Sequence, residues 1–398
     1  MIRRIDLFMP PFSQYGLLHH FTKQMYEALM RHGVEARLLE ADYHNPKKFL
    51  DAIFASPPEC TLSFNGLLPD SEGRFFCDLV KIPHIACLVD SPNRFVELIK
   101  SKRTIVTCVD RFSCNFFQGL GLPHVFFMPH AVSPSLCPPK EEGKKEYDAV
   151  LLASFIDYEA IRNGWADKYP TAVHWALHEA AEEALRNGER SYVEIFVEAF
   201  DRQLQTLGGV DPRTINLVAI LQDLEDYING KDRVELVRSL QGIRLDIFSQ
   251  AKEEEWKKYL GKEFGNVQLH GAIPFDEALE VMKLSRVILN SCPSLRLGGH
   301  ERVFAGLACG AALLSSDSAY LRETFTAGKD ILFYQHGDRN GIANMVESLI
   351  KDEGKRFELA NRGREVVMEY HTWDERAKML LQRVPSMLDA INGVNSNL

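Results

Sequence analysis

Asn290 to Asp317 reads NSCPSLRLGGHERVFAGLACGAALLSSD. The apolar run Val287-Ile288-Leu289 enters this stretch, and Ala311 to Leu314 leaves it. Between them lie Gly298-Gly299, the polar triplet His300-Glu301-Arg302, an apolar helical pattern and Gly310. The order predicts strand, Gly-rich loop, helix, glycine cap and strand, a βαβ unit whose loop lies at the ligand end of a parallel sheet. A helix that opens on glycines offers free backbone N–H groups and the positive end of its dipole, which suits a phosphate.

The same rhythm runs outward in both directions. Ile5–Met9 predicts a first strand and His19–Arg31 a helix, with Phe21, Met25 and Leu29 on one face and Gly33 placed to end it. Further buried strands are expected at Thr61–Phe64, His84–Val89, Ile105–Val109 and Val125–Met128. Leu136–Glu146, LCPPKEEGKKE, has the composition of a surface linker. Tyr147–Ala153 begins a second set of strands, resumed at Arg244–Phe248 and Val267–Leu269. From about 158 to 240 helical periods dominate, with an apolar stripe at Val193, Phe196, Val197, Phe200, Leu204 and Leu207 that predicts packing. His371-Thr372-Trp373 interrupts the pattern before a final amphipathic helix.

The expected fold is α/β, with two doubly wound Rossmann-like domains facing a cleft and a helical insertion in the second. The expected boundaries are 1–137 and 147–372, a linker at 138–146, the insertion at about 158–240, and a C-terminal helix and tail at 373–398.

A chain of 398 residues, 45% hydrophobic and 25% charged, is long enough for two or three globular domains. A net charge of −9 without a long basic run argues against nucleic acid and anionic membrane surfaces as partners. No segment approaches the ~20 apolar residues of a membrane span. The apolar start is broken by Pro10-Pro11, unlike a secretion signal. Eight scattered cysteines without a CxxC pair fit reduced thiols in a cytoplasmic protein, and no metal site is expected.

On these residues the segment from about Val267 to Arg376 resembles the C-terminal domain of GT-B glycosyltransferases, in particular the group-1 branch that includes the CgeB-like proteins. The matching pieces are Leu289-Asn290-Ser291, His300 to Phe304, Leu307 to Ala311, Gly328 to Ile331, and His371-Thr372-Trp373 with Arg376. The resemblance implies a metal-independent transferase. It would move a sugar from a nucleotide donor, UDP-linked, to a hydroxyl of a glycan, lipid-linked glycan or protein, with no further cofactor. It also implies a donor site in the second domain and an acceptor site in the first; an oligomer is compatible with it. An epimerase or hydrolase of the same architecture, and a noncatalytic partner protein, are the competing readings. One departure stands out: where the wider family carries two glutamates, this chain has Leu297 and Ala305. Glu301 lies one turn before Ala305 on the same helical face and is expected to take over the ribose or sugar hydroxyls.

The expected donor-binding residues are therefore Gly298, Gly299, His300, Glu301, Arg302, Ser154 and Lys252, with Arg162 a weaker phosphate candidate. Asp90, before Ser91-Pro92 at a strand end, and His20, at a helix start, are the candidate bases for an acceptor hydroxyl, with Glu301 as a third catalytic candidate. His19 is an alternative base at the same helix start, and His130, which follows a strand, is a candidate ligand contact.

Overall fold

Short runs such as Cys60–Phe64, His84–Leu88 and Thr104–Cys108 bury every residue, polar ones included, the pattern of strands covered on both faces. The computed structural model describes residues 2–40, 46–138, 145–261 and 265–394 of the chain. Residues 139–144 of the expected linker and 395–398 of the expected tail lie outside them.

The chain forms two units, residues 1–135 with 274–276 and 368–398, and residues 136–273 with 277–367. The first contains β1 (Arg4–Met9), α1 (Leu17–Arg31), β2 (Glu35–Glu40), α2 (Pro46–Ala55), β3 (Cys60–Phe64), α3 (Phe76–Val80), β4 (His84–Leu88), β5 (Thr104–Cys108), α4 (Arg111–Gly119) and β6 (Val125–Phe127). Its six-stranded sheet has the order β2-β1-β3-β4-β5-β6, and every pairing among the described residues is parallel. The order reverses between β1 and β3.

The second unit opens on β7 (Tyr147–Leu152), followed by α5 (Tyr158–Lys168), α6 (Thr171–Arg186), α7 (Tyr192–Leu207) and α8 (Leu217–Ser239). Then come β8 (Leu245–Phe248), α9 (Glu253–Leu260), β9 (Val267–His270), α10 (Phe275–Lys283), whose first two residues belong to the first unit, β10 (Ser285–Asn290) and α11 (Glu301–Ala308). It ends with β11 (Ala312–Ser316), α12 (Ala319–Thr324), β12 (Leu332–Tyr334), α13 (Arg339–Lys351) and α14 (Glu353–Tyr370). The sheet order is β12-β11-β10-β7-β8-β9, again parallel in every pairing among the described residues. The chain runs outward from β7 to β9, returns to β10 on the other side of β7, and runs outward to β12. The switch point is between β7 and β10, where Ile288 pairs with Val150 and Leu289 with Leu151.

Helices α5–α8 fill the connection from β7 to β8. The buried face of α7 is Tyr192, Val193, Ile195, Phe196, Ala199 and Phe200. Val197 and Leu207 from the expected stripe are exposed, because the face that packs is rotated away from them. A capping box at Ser191–Glu194 starts this helix and Gly208, at φ 64°, ends it.

The last helix, α15 (Trp373–Val394), belongs to the first unit rather than forming a separate tail. Trp373, Ala377, Leu380, Val384, Leu388 and Ile391 recur at spacings of three and four, and all join the core of Phe21, Met25 and Leu29 on α1. The larger of these side chains contribute roughly 1.5–3 kcal/mol each. That offsets Pro385 inside the helix, whose usual cost is about 3 kcal/mol.

Two histidines are built into this unit as neutral groups. His84 lies between the hydroxyls of Thr61 (2.7 Å from Nδ1) and Ser63 (2.8 Å from Nε2), and burial lowers its pKa to about 3. His371 accepts from Arg376 at 2.7 Å; burial and then the Arg376 charge lower it to about 3. Below about pH 6.5 the unfolded chain binds two protons that the folded chain does not, so stability falls as pH drops toward 3. From pH 7 to 5 the loss is about 2 kcal/mol per histidine, roughly 4 in all. Urea unfolding of the intact chain at both pH values measures it, and a first-unit stability that is flat over that interval would contradict these environments.

Candidate functional site

The stretch quoted first folds as its spacing requires. β10 ends at Asn290, and α11 starts at Glu301 with His300 as its N-cap. It ends at Gly310, whose φ of +76° places it in the left-handed region, with its N–H on Leu307 O at 3.0 Å. A side chain at Gly310 would also meet Pro138 at 2.7 Å. Gly299 is explained by packing: a Cβ there would lie 2.8 Å from Phe304 and 2.9 Å from Leu321. The carbonyl of Gly298 accepts from Ser318 Oγ at 3.2 Å, which pins the loop to the next helix.

His300 Nδ1 faces the Arg302 amide at 3.3 Å and Glu301 Oε2 at 2.8 Å. The nitrogen serves one at a time, since a cap needs its lone pair and a carboxylate needs its proton. The shorter contact favours the proton on Nδ1, which leaves Nε2 as an acceptor. Burial is the largest influence on the ring and lowers its pKa, against the nearby Glu301, so the ring is neutral near pH 7. Ala305, in the position of the family's glutamate, is only 2% exposed and carries no group a ligand could use.

Around this helix start gather the ends of the switch-point strands. Asn290 Nδ2 donates to Ser315 at 2.9 Å, and its Oδ1 accepts from Arg302 at 3.1 Å. Arg233, on α8, is buried and donates to the carbonyl of Ser154, just past β7. Its Nε is buried without a hydrogen-bond partner among the described residues. Burial, and next the positive charge of Arg302, lower its pKa to about 10. Neither arginine has an ion pair among the described residues. Two guanidinium groups that repel one another beside a helix N-terminus make a place for a polyanion.

The remaining candidates are distributed differently. Lys252 is the exposed N-cap of α9, where its N–H donates to Glu255 at 2.8 Å. Arg162 is held within the insertion by the hydroxyl of Tyr227 at 3.3 Å. In the first unit, His19 Nε2 is fixed on the carbonyl of Pro10 at 2.8 Å. His130 is buried beside Phe21, with ring centroids 5.6 Å apart. Asp90 is exposed past the end of β4 and accepts from Asn65 at 2.7 Å. His20 Nδ1 lies 2.9 Å from Asp276, and its ring meets Phe275 edge-on at 4.9 Å. Burial lowers its pKa more than Asp276 raises it. The His371–Arg376 motif is structural: buried Arg376 donates to the carbonyls of Pro129, His130 and Tyr370 at 2.6, 2.9 and 3.0 Å.

Arg233 is absent from the sequence-based set, as is its neighbour Asp232, which accepts from Ser291 at 2.7 Å. Among the described residues no group of three or more His, Cys, Asp or Glu could hold a metal ion. No helix among them is long and apolar enough to cross a membrane.

Residues 232–382 match the family model described as glycosyl transferase-like. Over nearly the whole chain the architecture is that of known structures. Anabaena HepE, solved with UDP and glucose, aligns with a TM-score of 0.55 at 10% identity, over 96% of this chain and 100% of that one. Sucrose-phosphate synthase from Thermosynechococcus elongatus gives 0.56 at 13% identity, over 98% and 100%. The fold is that of the GT-B glycosyltransferases. WaaG, a glycosyltransferase involved in lipopolysaccharide biosynthesis, shares it with a TM-score of 0.53 at 9% identity, over 98% and 100%. A search of the curated proteins finds no match in sequence. In this GT-B chain the glycosyl transferase-like segment begins at Asp232, so it includes Arg233 as well as α11.

Proposed function

We propose that the chain transfers a sugar from a UDP-linked donor to a hydroxyl acceptor. The convergence of Arg233 and Arg302, without carboxylate partners, on the amino end of α11 carries this reading. Charge grows on the leaving diphosphate as the glycosidic bond breaks, and preorganised donors aimed at that charge stabilise the transition state. In this scheme the two arginines and the positive end of the α11 dipole neutralise it without a metal ion. Glu301 holds His300 and takes ribose or sugar hydroxyls in place of the glutamate missing at Ala305. The bound UDP and glucose of HepE support this class of donor.

His20 is the base we assign to the acceptor hydroxyl, with Asp90 the alternative. Asp276 fixes its Nδ1 proton, and the neutral ring then offers Nε2. Because burial lowers its pKa below 6.5, the base remains unprotonated at pH values where an ordinary histidine is half charged. The acid limb of kcat/KM is therefore expected below pH 6.5, and His20→Ala should lower kcat about 10²–10⁴-fold. UDP release from a panel of UDP-sugars and hydroxyl acceptors, followed from pH 5 to 8, tests both points. An acid limb centred above 6.5, or full activity in the variant, would remove His20 from this role.

The buried Ala305 favours one second reading, a protein that binds the donor without turning it over. Saturable donor binding with no product on any acceptor would select it.

A further inference from the structure

Helix α6 carries the sequence His174-Trp175-Ala176-Leu177-His178. Residues four apart on a helix project from one face, so the two imidazoles meet. Their Nε2 atoms lie 3.0 Å apart, and the ring planes stand at 86° to one another. Both rings are partly exposed, and His178 also lines an open cavity of about 680 Å³ on the surface of the insertion. One Nε2–H donates to the other ring, and neither Nδ1 has a hydrogen-bond partner among the described residues.

That separation is also the bite of a metal ion. Two imidazole nitrogens at about 2.0–2.1 Å from one centre lie roughly 2.8–3.0 Å apart when they subtend a right angle, and about 3.3–3.4 Å apart at the tetrahedral angle. The observed 3.0 Å fits adjacent corners of a square plane or octahedron, as Cu(II) and Ni(II) take. Histidines four apart on one helical face are a known pair of metal ligands. The rings need only a swing about χ2, a soft torsion in histidine, to aim both lone pairs at one ion. The proton between them moves to the open Nδ1 of the ring that carried it, so both rings stay neutral, as ligation requires. Of the charges that reach His178, Glu182 attracts a cation and Arg162, held by Tyr227 at 3.3 Å, opposes it. Glu182 is itself held by Lys231 at 3.0 Å and Arg186 at 3.4 Å, so the chain supplies two ligands and water the rest.

We propose that His174 and His178 form a site for a divalent transition-metal ion, bound at adjacent corners of a square plane or octahedron. The site belongs to the helical insertion and not to the diphosphate position assigned above, and it does not depend on the donor reading. An ion held there clips one turn of α6 and stabilises the folded state by mass action.

Titration of the untagged full chain with nickel chloride, followed by calorimetry and tryptophan fluorescence, tests this. The ring of Trp165 lies 5.2 Å from that of His178, and exposed Trp175 lies 5.2 Å from His174 and 6.0 Å from His178. Two of the chain's four tryptophans therefore flank the ion, and paramagnetic Ni(II) should quench them as one equivalent binds. His174→Ala and His178→Ala should each weaken binding at least tenfold. Alanine is the best helix former, and unchanged far-ultraviolet helicity in His174→Ala separates lost ligation from lost fold. Cys137→Ser, which removes an exposed thiol, should bind Ni(II) as the original chain does. No saturable binding, an affinity unchanged in His174→Ala, or binding lost in Cys137→Ser would each overturn the assignment.

Discussion

Arg233→Met should weaken UDP binding at least 100-fold while leaving the free protein as stable as before, or more so. The guanidinium is buried, its Nε is unpartnered, and Arg302 repels it. A charge kept there without an ion pair lowers stability, and an apolar residue of similar volume commonly restores it, by about 1–4 kcal/mol in buried ion pairs so replaced. In the complex the balance inverts. In the proposed function the same group meets a diphosphate in a desolvated site, where loss of one partner of a charged pair costs roughly 2–5 kcal/mol. Thermal unfolding with and without UDP separates the two effects, because a ligand that binds only the folded state raises its stability by mass action. An unchanged UDP-induced shift in the variant would remove Arg233 from the site.

The same substitution at Arg376 should do the opposite. Its guanidinium donates to three carbonyls and to His371, joining the segment after β6 to the start of α15. Methionine fills similar volume but removes all of those donors. A loss of roughly 3–5 kcal/mol is expected from hydrogen bonds to a charged group and the desolvation of what remains. Chemical denaturation measures it. A loss under about 1 kcal/mol would show that the Trp373 and Leu380 face alone holds the helix. Two buried arginines, one held by three carbonyls and one with a single carbonyl and an open Nε–H, thus predict opposite signs from one chemical change.

Much of this was readable in the chain. Strands buried on both faces appear as short runs without a carboxylate, lysine or arginine, as in β3, β4 and β5, and as the apolar Val287-Ile288-Leu289 within β10. The end of α11 is written in local chemistry, a left-handed glycine, and needs no tertiary information. Arg233 was not readable. Helix α8 carries charges on every side, and Asp232-Arg233 looks like part of a solvated face. Their partners Ser291 and Ser154 are 59 and 79 residues away, a distance over which local pattern is silent. Helix α9 was similarly hidden, since EEEWKKYL is too short for its three buried residues to show a period. Gly299 shows the limit of motif reading: its place beside Gly298 suggests ligand approach, while Phe304 and Leu321 account for it by packing. The final helix has a legible apolar stripe, but nothing in its own residues says which unit it covers.

In the proposed function a nucleotide diphosphate sits at the switch point between β7 and β10. A structure of the complex with UDP tests it most directly. Both phosphates are expected within hydrogen-bond reach of Arg233 and Arg302 at the amino end of α11, with Glu301 or His300 on a ribose or sugar hydroxyl. Phosphates bound elsewhere, with Arg233 and Arg302 untouched, would contradict it.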